Sequence, residues 1–467
     1  MGENGAAMFD GVYVQNGSLT ANGTFTVFHN VNSTGVSNDY SGNYNELVVR
    51  SYAVRVEGKD IETDKVIIEK GVIENSVGGG LYVSGGTVTI GNAGDTGDAE
   101  YTGAESEISG LWISAKGYEF TDEWYDINGG NAGGSNAWHY HKNITGGHAV
   151  EVVGGELFIN GGRYTAAMGN GILVQGGTAT VNNGTFIGAD AYTPRVEGSA
   201  ANAGPAASYA FKMYGGDLIV KGGTFTDQMT ADTGNKFAGS GAFVMGGSAT
   251  ILGGEFHVKG TSAFAVYSGA IVTFGAESGN DNSKIRLSGE SAGVTIENTE
   301  GESGSSVTVW GGSYWCNTPK DGKGSDGIYY GEGTTQLLIY GGLFNGTGGE
   351  DTVGGTGRSG LYLAEKPGEG KIEISDGTFI GKSVQERGGV AWRTDYYKNG
   401  AIGADCSLSA FGNWGKVGGN VLVKDIIAQG HTATCESGYV KESYISDNDS
   451  RFRLGESLAG ANKIIVT

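Results

Sequence analysis

Aromatic and histidine side chains concentrate between residues 111 and 148, in a segment that interrupts the surrounding sequence pattern. Exposed aromatic rings stack on sugar rings, so the segment is a candidate glycan or partner contact. Packing of the same rings against the body of the protein is the alternative. Two histidines, His139 and His141, would share one strand face as a candidate metal pair, with no third ligand identified. The candidate contact residues are Trp112, Trp124, Trp138 and Tyr140.

A second aromatic cluster lies near residue 395 and combines rings with a charged hydrogen-bonding group. Its members are Trp392, Arg393, Asp395, Tyr396 and Tyr397, and the candidate contact residues among them are Trp392, Arg393 and Tyr396. This combination suits contact with a sugar or a protein surface. A loop that folds over the end of the repeats explains the same residues equally well.

No residue is predicted to be catalytic. Glycoside hydrolysis needs paired carboxylates on one face, and elimination needs a basic residue beside calcium-binding acids. Neither set is recognisable in the chain, so no cofactor is expected. Clustered carboxylates of an acidic surface leave calcium binding as an alternative.

Three cysteines occur, and they cannot all pair within one chain. Cys406 and Cys435 both lie beyond the last repeat, where we predict a disulfide that closes a C-terminal cap. Cys316 follows two aromatic residues and has no neighbouring histidine or acid motif. It is therefore predicted to be a buried thiol.

A short sequence motif that repeats along the chain must position these residues, and we call this motif the phrase. It consists of an apolar residue, any residue, Ile or Val, any residue, a turn of Gly, Asn or Asp followed by Gly, any residue, and an aromatic. Copies recur at about 30-residue intervals, and the longest interval, roughly twice that, contains a blurred copy near residues 267–271. The copies begin at Leu157, Ala179, Leu218, Ala249, Val307, Leu337 and Ile372, and they end at Tyr164, Phe186, Phe225, Phe256, Tyr314, Phe344 and Phe379.

The alternation within each phrase has a period of two, which is typical of strands with one buried face. Paired glycines stand where the chain must turn, because glycine tolerates positive φ. A second short strand precedes most phrases, as in residues 80–83, 171–174, 241–244 and 360–363. Stacked repeats roughly 4.8 Å apart would align the closing aromatics into one buried ladder.

This pattern resembles the right-handed parallel β-helix repeats of the pectin-lyase-like superfamily, and most closely their glycine-rich, non-catalytic, extracellular members. The resemblance covers about residues 71–400. It implies an all-β fold, a right-handed parallel β-helix (β-solenoid) with irregular terminal caps. Residues 1–70 would form irregular N-terminal coils, 71–400 the repeats with the insertion at 111–148, and 401–467 a C-terminal cap. The hydrolase pattern of that superfamily, a Gly-His-Gly segment with an Arg-x-Lys segment, has no match.

Composition narrows the range of partners. A net charge of −21 argues against a nucleic-acid backbone or an anionic membrane surface as the main partner. No apolar stretch is long enough to span a membrane. With 89 glycines, only four prolines and 10% aromatic residues, the chain fits tightly turned strands better than a disordered linker.

The leading hypothesis is a non-enzymatic structural protein, extracellular or on the cell surface, that serves as a filament or appendage subunit or as a rigid stalk. The apolar terminus Ile464, Ile465 and Val466 and the strands before residue 70 are predicted to join neighbouring subunits head to tail. The alternative is a polysaccharide-binding or polysaccharide-cleaving β-helix protein.

Overall fold

The fold is built almost entirely from short β-strands. The computed structural model describes residues 10–21, 23–29, 52–75, 78–97, 110–115, 147–166, 169–188, 209–227, 241–258, 262–267, 269–297, 304–317, 326–331, 335–346, 359–363, 372–380, 390–392, 415–424, 426–429, 433–435, 443–445, 451–454 and 464–466. Within these residues the one helical element is a 3-10 turn at Asn282–Lys284. The chain divides into two units, Met1–Ala242 and Phe243–Thr467.

Three parallel ladders organise the first unit, and each strand pairs with the equivalent strand of the next repeat. The first ladder contains β1 Val12–Gln15, β4 Tyr52–Glu57, the start of β7 Gly79–Ile90, the start of β9 Val150–Ile159, β11 Ile172–Val174 and β14 Phe211–Met213. The second contains β2 Leu19–Ala21, β5 Lys65–Ile68, the ends of β7 and β9, β12 Thr178–Val181 and β15 Asp217–Val220. The third contains β3 Phe25–His29, β6 Gly71–Asn75, β8 Leu111–Ala115, β10 Arg163–Ala166, β13 Thr185–Gly188 and β16 Thr224–Asp227.

The second unit repeats the same arrangement of three parallel ladders. Its first ladder contains β17 Ala242–Val244, β20 Ser262–Val266, β23 Ala292–Ile296, β26 Asp326–Tyr330, β29 Ser359–Leu363 and β31 Val390–Trp392. The second contains β18 Ser248–Ile251, β21 Ile271–Phe274, β24 Ser306–Val309, β27 Gln336–Ile339, the start of β30 Ile372–Ile380 and the start of β32 Gly415–Lys424. The third contains β19 Gly254–His257, β22 Ile285–Gly289, β25 Ser313–Cys316, β28 Leu343–Asn345 and the ends of β30 and β32.

Among the described strands, antiparallel pairing begins only after these ladders. A three-stranded sheet has the order β33 Ile426–Gln429, β36 Arg451–Leu454 and β35 Ser443–Ile445. A two-stranded sheet pairs β34 Ala433–Cys435 with β37 Ile464–Val466. The C-terminal residues described in the structure therefore differ in topology from the parallel ladders.

The core is formed by alternate positions of the strands, as the period-two pattern predicts. In the second ladder of the first unit, both apolar residues of each phrase are buried, for example Ala179 with Val181 and Leu218 with Val220. The residue between them points away and is less buried in β15. Strand alternation thus supplies the buried face in both units.

The closing aromatics of the first unit stack as predicted. Tyr164, Phe186 and Phe225 occupy matching positions of β10, β13 and β16 and are fully buried. Ring centroids of successive residues are 4.8 Å apart, with interplanar angles of 11° and 7°. In-register parallel pairing fixes this spacing, because neighbouring strands lie about 4.8 Å apart.

In the second unit the closing aromatics do not form the single regular stack that the sequence predicts. Leu287 occupies the position between Phe256 and Tyr314 in the third ladder. Phe264 of the first ladder and Phe274 of the second fill this region and make edge-to-face contacts that lead from Phe256 to Tyr314. Side chains from all three ladders therefore meet here.

Parallel stacking resumes after that irregularity. The rings of Tyr314 and Phe344 are 5.0 Å apart at an interplanar angle of 12°. Phe379 holds the next register position. The blurred copy inside the longest interval, residues 267–271, leads into strand β21, which pairs with both β18 and β24.

The glycine pairs make the turns that the phrase predicts. Gly216 has a φ of 78°, and a Cβ there would lie 2.5 Å from the Gly177 carbonyl oxygen of the preceding repeat. Gly223 has a φ of 106°, and its Cβ would lie 2.7 Å from the Gly184 carbonyl oxygen. Both the positive φ angle and the close approach of the preceding repeat favour glycine at these positions.

Two features of the ladders differ from the sequence pattern. The closing aromatics lie on a third strand rather than in a turn, since strands such as β13 begin directly after the turn glycine. The ladders also include strands before residue 71 and strand β32 after residue 400. The predicted domain limits fall within the ladders, and the capping role of the two ends stays a prediction.

Replacing Phe186 with Ala removes a ring that is stacked on both sides in a fully buried position. We expect the free energy of unfolding to fall by about 3–5 kcal/mol, because apolar burial is lost and a cavity remains. Urea titration measures the effect. Ile61→Ala, at a 45% exposed position of the same unit, is the control and should change stability by less than about 0.5 kcal/mol. Equal effects of the two substitutions would contradict the aromatic ladder.

Candidate functional site

Charged and aromatic residues of the first unit line up on the outer side of its first ladder. Tyr13, Arg55, Tyr82 and Glu151 hold one register position in β1, β4, β7 and β9. Each lies between two apolar residues that alternate to the opposite side, such as Val54 and Val56 around Arg55. We call these four residues with Tyr52 the outer cluster.

Arg55 lies at the centre of the outer cluster. Its guanidinium carbon is 5.0 Å from the Tyr52 ring centroid and 4.6 Å from that of Tyr82. Its Nε is 2.6 Å from Asp10 Oδ2, and its Nη1 is 3.2 Å from Glu57 Oε1. Because the Arg55 side chain is only 18% exposed, these contacts are screened by solvent less than ordinary surface ion pairs.

Glu151 provides a buried carboxylate, with only 6% of the residue exposed. The Tyr52 hydroxyl donates a hydrogen bond to Oε2, and Gln175 Nε2 donates one to Oε1 at 2.6 Å. Burial raises the pKa of Glu151, although the two donated hydrogen bonds act in the opposite direction. Burial and the adjacent carboxylate also raise the pKa of Tyr52, so its phenol remains a donor.

A second group of polar residues lies farther along the same ladder. Lys212 is two register positions from Glu151, with Leu173 between them. Its Nζ is 5.1 Å from the Tyr209 ring centroid and 4.9 Å from the Tyr214 ring centroid. The two tyrosines therefore hold the ammonium group by cation–π contact.

His148 lies just before β9 and is held as a neutral imidazole. Its Nδ1 accepts a hydrogen bond from the backbone N–H of Asn170 at 3.0 Å. Asn170 Oδ1 in turn accepts from the backbone N–H of Tyr209 at 2.9 Å. Burial, with a further contribution from Lys212, lowers the pKa of His148 from 6.5 to about 4.

The outer cluster is a network whose polar groups bind one another. The Glu151 carboxylate accepts two hydrogen bonds, and Arg55 contacts two carboxylates and two rings. Such a network stabilises the outer face of four neighbouring repeats. Among the described residues three rings are open to solvent: Tyr13 of this cluster is 50% exposed, Phe28 is 48% exposed and Tyr214 is 47% exposed. These are the rings that could meet a ligand.

Among the residues predicted to contact a glycan or partner, Trp112 has a described side chain. It lies in β8, is partly buried, and donates from Nε1 to Thr165 Oγ1 at 3.1 Å. It therefore packs against the neighbouring strand β10. Trp392 pairs in register with Leu363. The remaining candidates lie outside the described residues: Trp124, Trp138, Tyr140, Arg393 and Tyr396, together with His139 and His141.

The cysteine predictions have different outcomes. Cys316 is fully buried, as predicted. Cys435 lies in β34, in register with Ile464 of β37. Because Cys406 lies outside the described residues, the disulfide stays a prediction.

Metal binding has no candidate cluster in the described part of the chain, where no three His, Cys, Asp or Glu side chains gather to hold an ion. Calcium binding elsewhere stays a prediction. The same described ranges contain no helix with the length and apolar character needed to cross a membrane.

Comparisons with known proteins give no relative from which a function could be transferred. No protein-family model, no curated protein and no solved structure matches the chain. The architecture itself, all-β with parallel strand ladders, is the class that the structure defines.

The outer cluster was not predicted from the sequence. Apart from Tyr52, its residues are the middle members of apolar triplets, as in Leu81-Tyr82-Val83 and Val150-Glu151-Val152. Aligning those triplets would have placed Tyr82 beside Glu151. The unequal lengths of chain between repeats hide this alignment.

Stability should depend on pH through His148. The unfolded chain protonates this histidine near pH 6.5 and the folded chain only near pH 4, so its contribution is complete above pH 6.5 and is lost as pH falls toward 4. His148→Asn keeps an acceptor near the position of Nδ1 but does not titrate. We expect wild type to lose about 2 kcal/mol more than this variant between pH 7 and pH 4.5. Urea titrations of both proteins at both pH values measure the free energy of unfolding. Equal losses in wild type and in His148→Asn would contradict the expectation.

Proposed function

We propose that this chain is a non-enzymatic, extracellular or cell-surface structural protein with a right-handed parallel β-helix fold. In this proposal the three ladders surround one core, as in the glycine-rich, non-catalytic members of the pectin-lyase-like superfamily. The protein would serve as a subunit of a surface filament or appendage, or as a rigid stalk.

The observation that carries the proposal is the regular parallel pairing of each strand with its equivalent in the next repeat. It recurs in all three ladders of both units. The edge-to-face contacts of Phe264 and Phe274 support a shared core, because they join the first and second ladders to the third. A stack of similar repeats, each contacting its neighbours, is the architecture of a rigid solenoid.

The outer cluster supports a structural role over a catalytic one. A general acid or base must reach a substrate proton within hydrogen-bond distance. Both oxygens of Glu151 instead accept hydrogen bonds from the protein itself, and the residue is buried. The acidic net charge of −21 is compatible with a solvated outer surface that keeps such an assembly soluble.

Head-to-tail assembly is the proposed mode of self-association. The terminal strand β37 pairs with β34 inside the chain. Among the described strands, this two-stranded sheet leaves one edge of β37 without a strand partner, and strand addition could extend it. A heterologous contact of this kind need not close, and so gives an open filament.

Deleting residues 462–467 tests this mode, because it removes all of β37. We expect light scattering to show that the intact chain grows in mass with concentration and that the deleted chain does not. Deletion of Thr467 alone, which lies outside β37, is the matched control and should assemble normally. An intact chain that stays monomeric at every concentration would refute the assembly.

Polysaccharide binding is the second candidate function, and it is favoured by the exposed ring of Tyr214 beside Lys212. An aromatic face with an adjacent ammonium group suits an acidic sugar. If this function holds, an acidic-polysaccharide panel should show binding that Tyr214→Ala weakens by about tenfold, equivalent to 1.4 kcal/mol. The panel is run with and without calcium. Cleavage products under either condition would contradict the non-enzymatic proposal.

A further inference from the structure

The first described repeat, β1 to β3, has an edge with no strand partner among the described residues. β1 pairs with β4, β2 with β5 and β3 with β6, all in parallel. The opposite edges of these three strands carry backbone amides and carbonyls that can template a further strand.

Burial of the apolar rows shows that this repeat is incompletely covered. Val12, Val14 and Leu19 are half-buried. Their register partners one repeat further on, Val54, Val56 and Val66, are buried to at least 99%. Both members of each pair are apolar and in register, so we attribute the difference to described strand neighbours on one side instead of two. One more layer of strands would cover Val12, Val14 and Leu19. Strands β1 and β2 cover Val54, Val56 and Val66 in the same way.

The last parallel repeat of the second unit provides strands of the required kind. β31 continues the first ladder, and β32 continues the second and third. In the described strands each of them pairs on one side only, with β29 and β30 respectively. Each of these two edges thus spans all three ladders, with strands that run parallel to their neighbours. A second copy can extend all three ladders with the same chain direction, whereas two identical ends could meet only by antiparallel pairing.

We infer that the edge of β1 to β3 is the docking surface for a second copy of this chain, whose β31 and β32 continue the three ladders. This inference rests on the proposed head-to-tail assembly and adds a second contact to the strand addition proposed for β37. The inner rows of the first repeat become buried, and the backbone groups of the edge strands become paired. Apolar burial and strand addition together stabilise the junction.

Lysine substitutions on the two faces of the edge strands test the docking surface in the full-length chain. Val14→Lys and Leu19→Lys place a charge in the half-buried rows. Gln15→Lys and Thr20→Lys make the same replacement at exposed positions of the same strands and serve as matched controls. We call Val14→Lys and Leu19→Lys the inner variants. We expect them to raise the concentration needed for assembly, measured by light scattering, by at least about tenfold, equivalent to 1.4 kcal/mol. The controls should assemble like wild type.

A cross-linking experiment does not depend on the stability of the inner variants. Thr20 and Lys416 hold the same middle position of the second ladder in the first and last repeats. In the proposed junction their Cα atoms would be about 5 Å apart, within reach of a disulfide. Thr20→Cys and Lys416→Cys chains are purified separately and oxidised alone and mixed. A disulfide between positions 20 and 416, found by peptide mapping in the mixture, is the expected result.

The outcomes separate this inference from the proposed function. If wild type assembles but inner variants match the controls and the 20–416 disulfide does not form, the docking surface is wrong while self-association stands. If wild type stays monomeric and no disulfide forms, both are wrong. A monomer destabilised by the inner lysines would show that residues of the same chain cover the edge, which also overturns the inference.

Discussion

In-register parallel hydrogen bonding between equivalent strands of successive repeats is the constraint on which the rest of the structure depends. A strand displaced by one residue would exchange its buried and exposed faces. The buried apolar rows, the stacked rings of Tyr164, Phe186 and Phe225, and the outer alignment of Arg55 with Tyr82 and Glu151 all require the same register. The turn glycines preserve it, because a side chain at Gly216 would meet the backbone of the preceding repeat.

The two faces of each strand therefore make different contributions. Inward positions stack apolar side chains on apolar side chains, and this stabilises the repeats through apolar burial and ring contact. Outward positions of the first ladder combine unlike groups, with a guanidinium between two rings and a carboxylate below a phenol. Attraction between these unlike groups links repeats that the core has already aligned. The same outward positions leave the rings of Tyr13 and Tyr214 exposed to solvent.

Sequence patterns predicted the parts of the fold that recur with a fixed internal spacing. Phe186 and Phe225 were placed correctly because each phrase sets the distance from its apolar pair to its aromatic. Leu287 was missed because it carries no aromatic signal, and Phe264 and Phe274 fill its neighbourhood from other strands. The third strand was missed because it is short and follows a turn glycine directly. Arg55 and Glu151 were missed because their proximity depends on register between repeats separated by variable lengths of chain.

Those variable lengths affect how the sequence can change during evolution. Ile113 pairs with Tyr164, and Tyr164 pairs with Phe186, although the first connection contains more than twice as many residues as the second. Each doubling of the length of a loop adds only about 0.6 kcal/mol to the conformational entropy cost of closing it. Segments between repeats can therefore gain or lose many residues while the strand pairs on either side stay the same. The ladders form a scaffold in which new surface loops can arise by insertion at small thermodynamic cost, one repeat at a time.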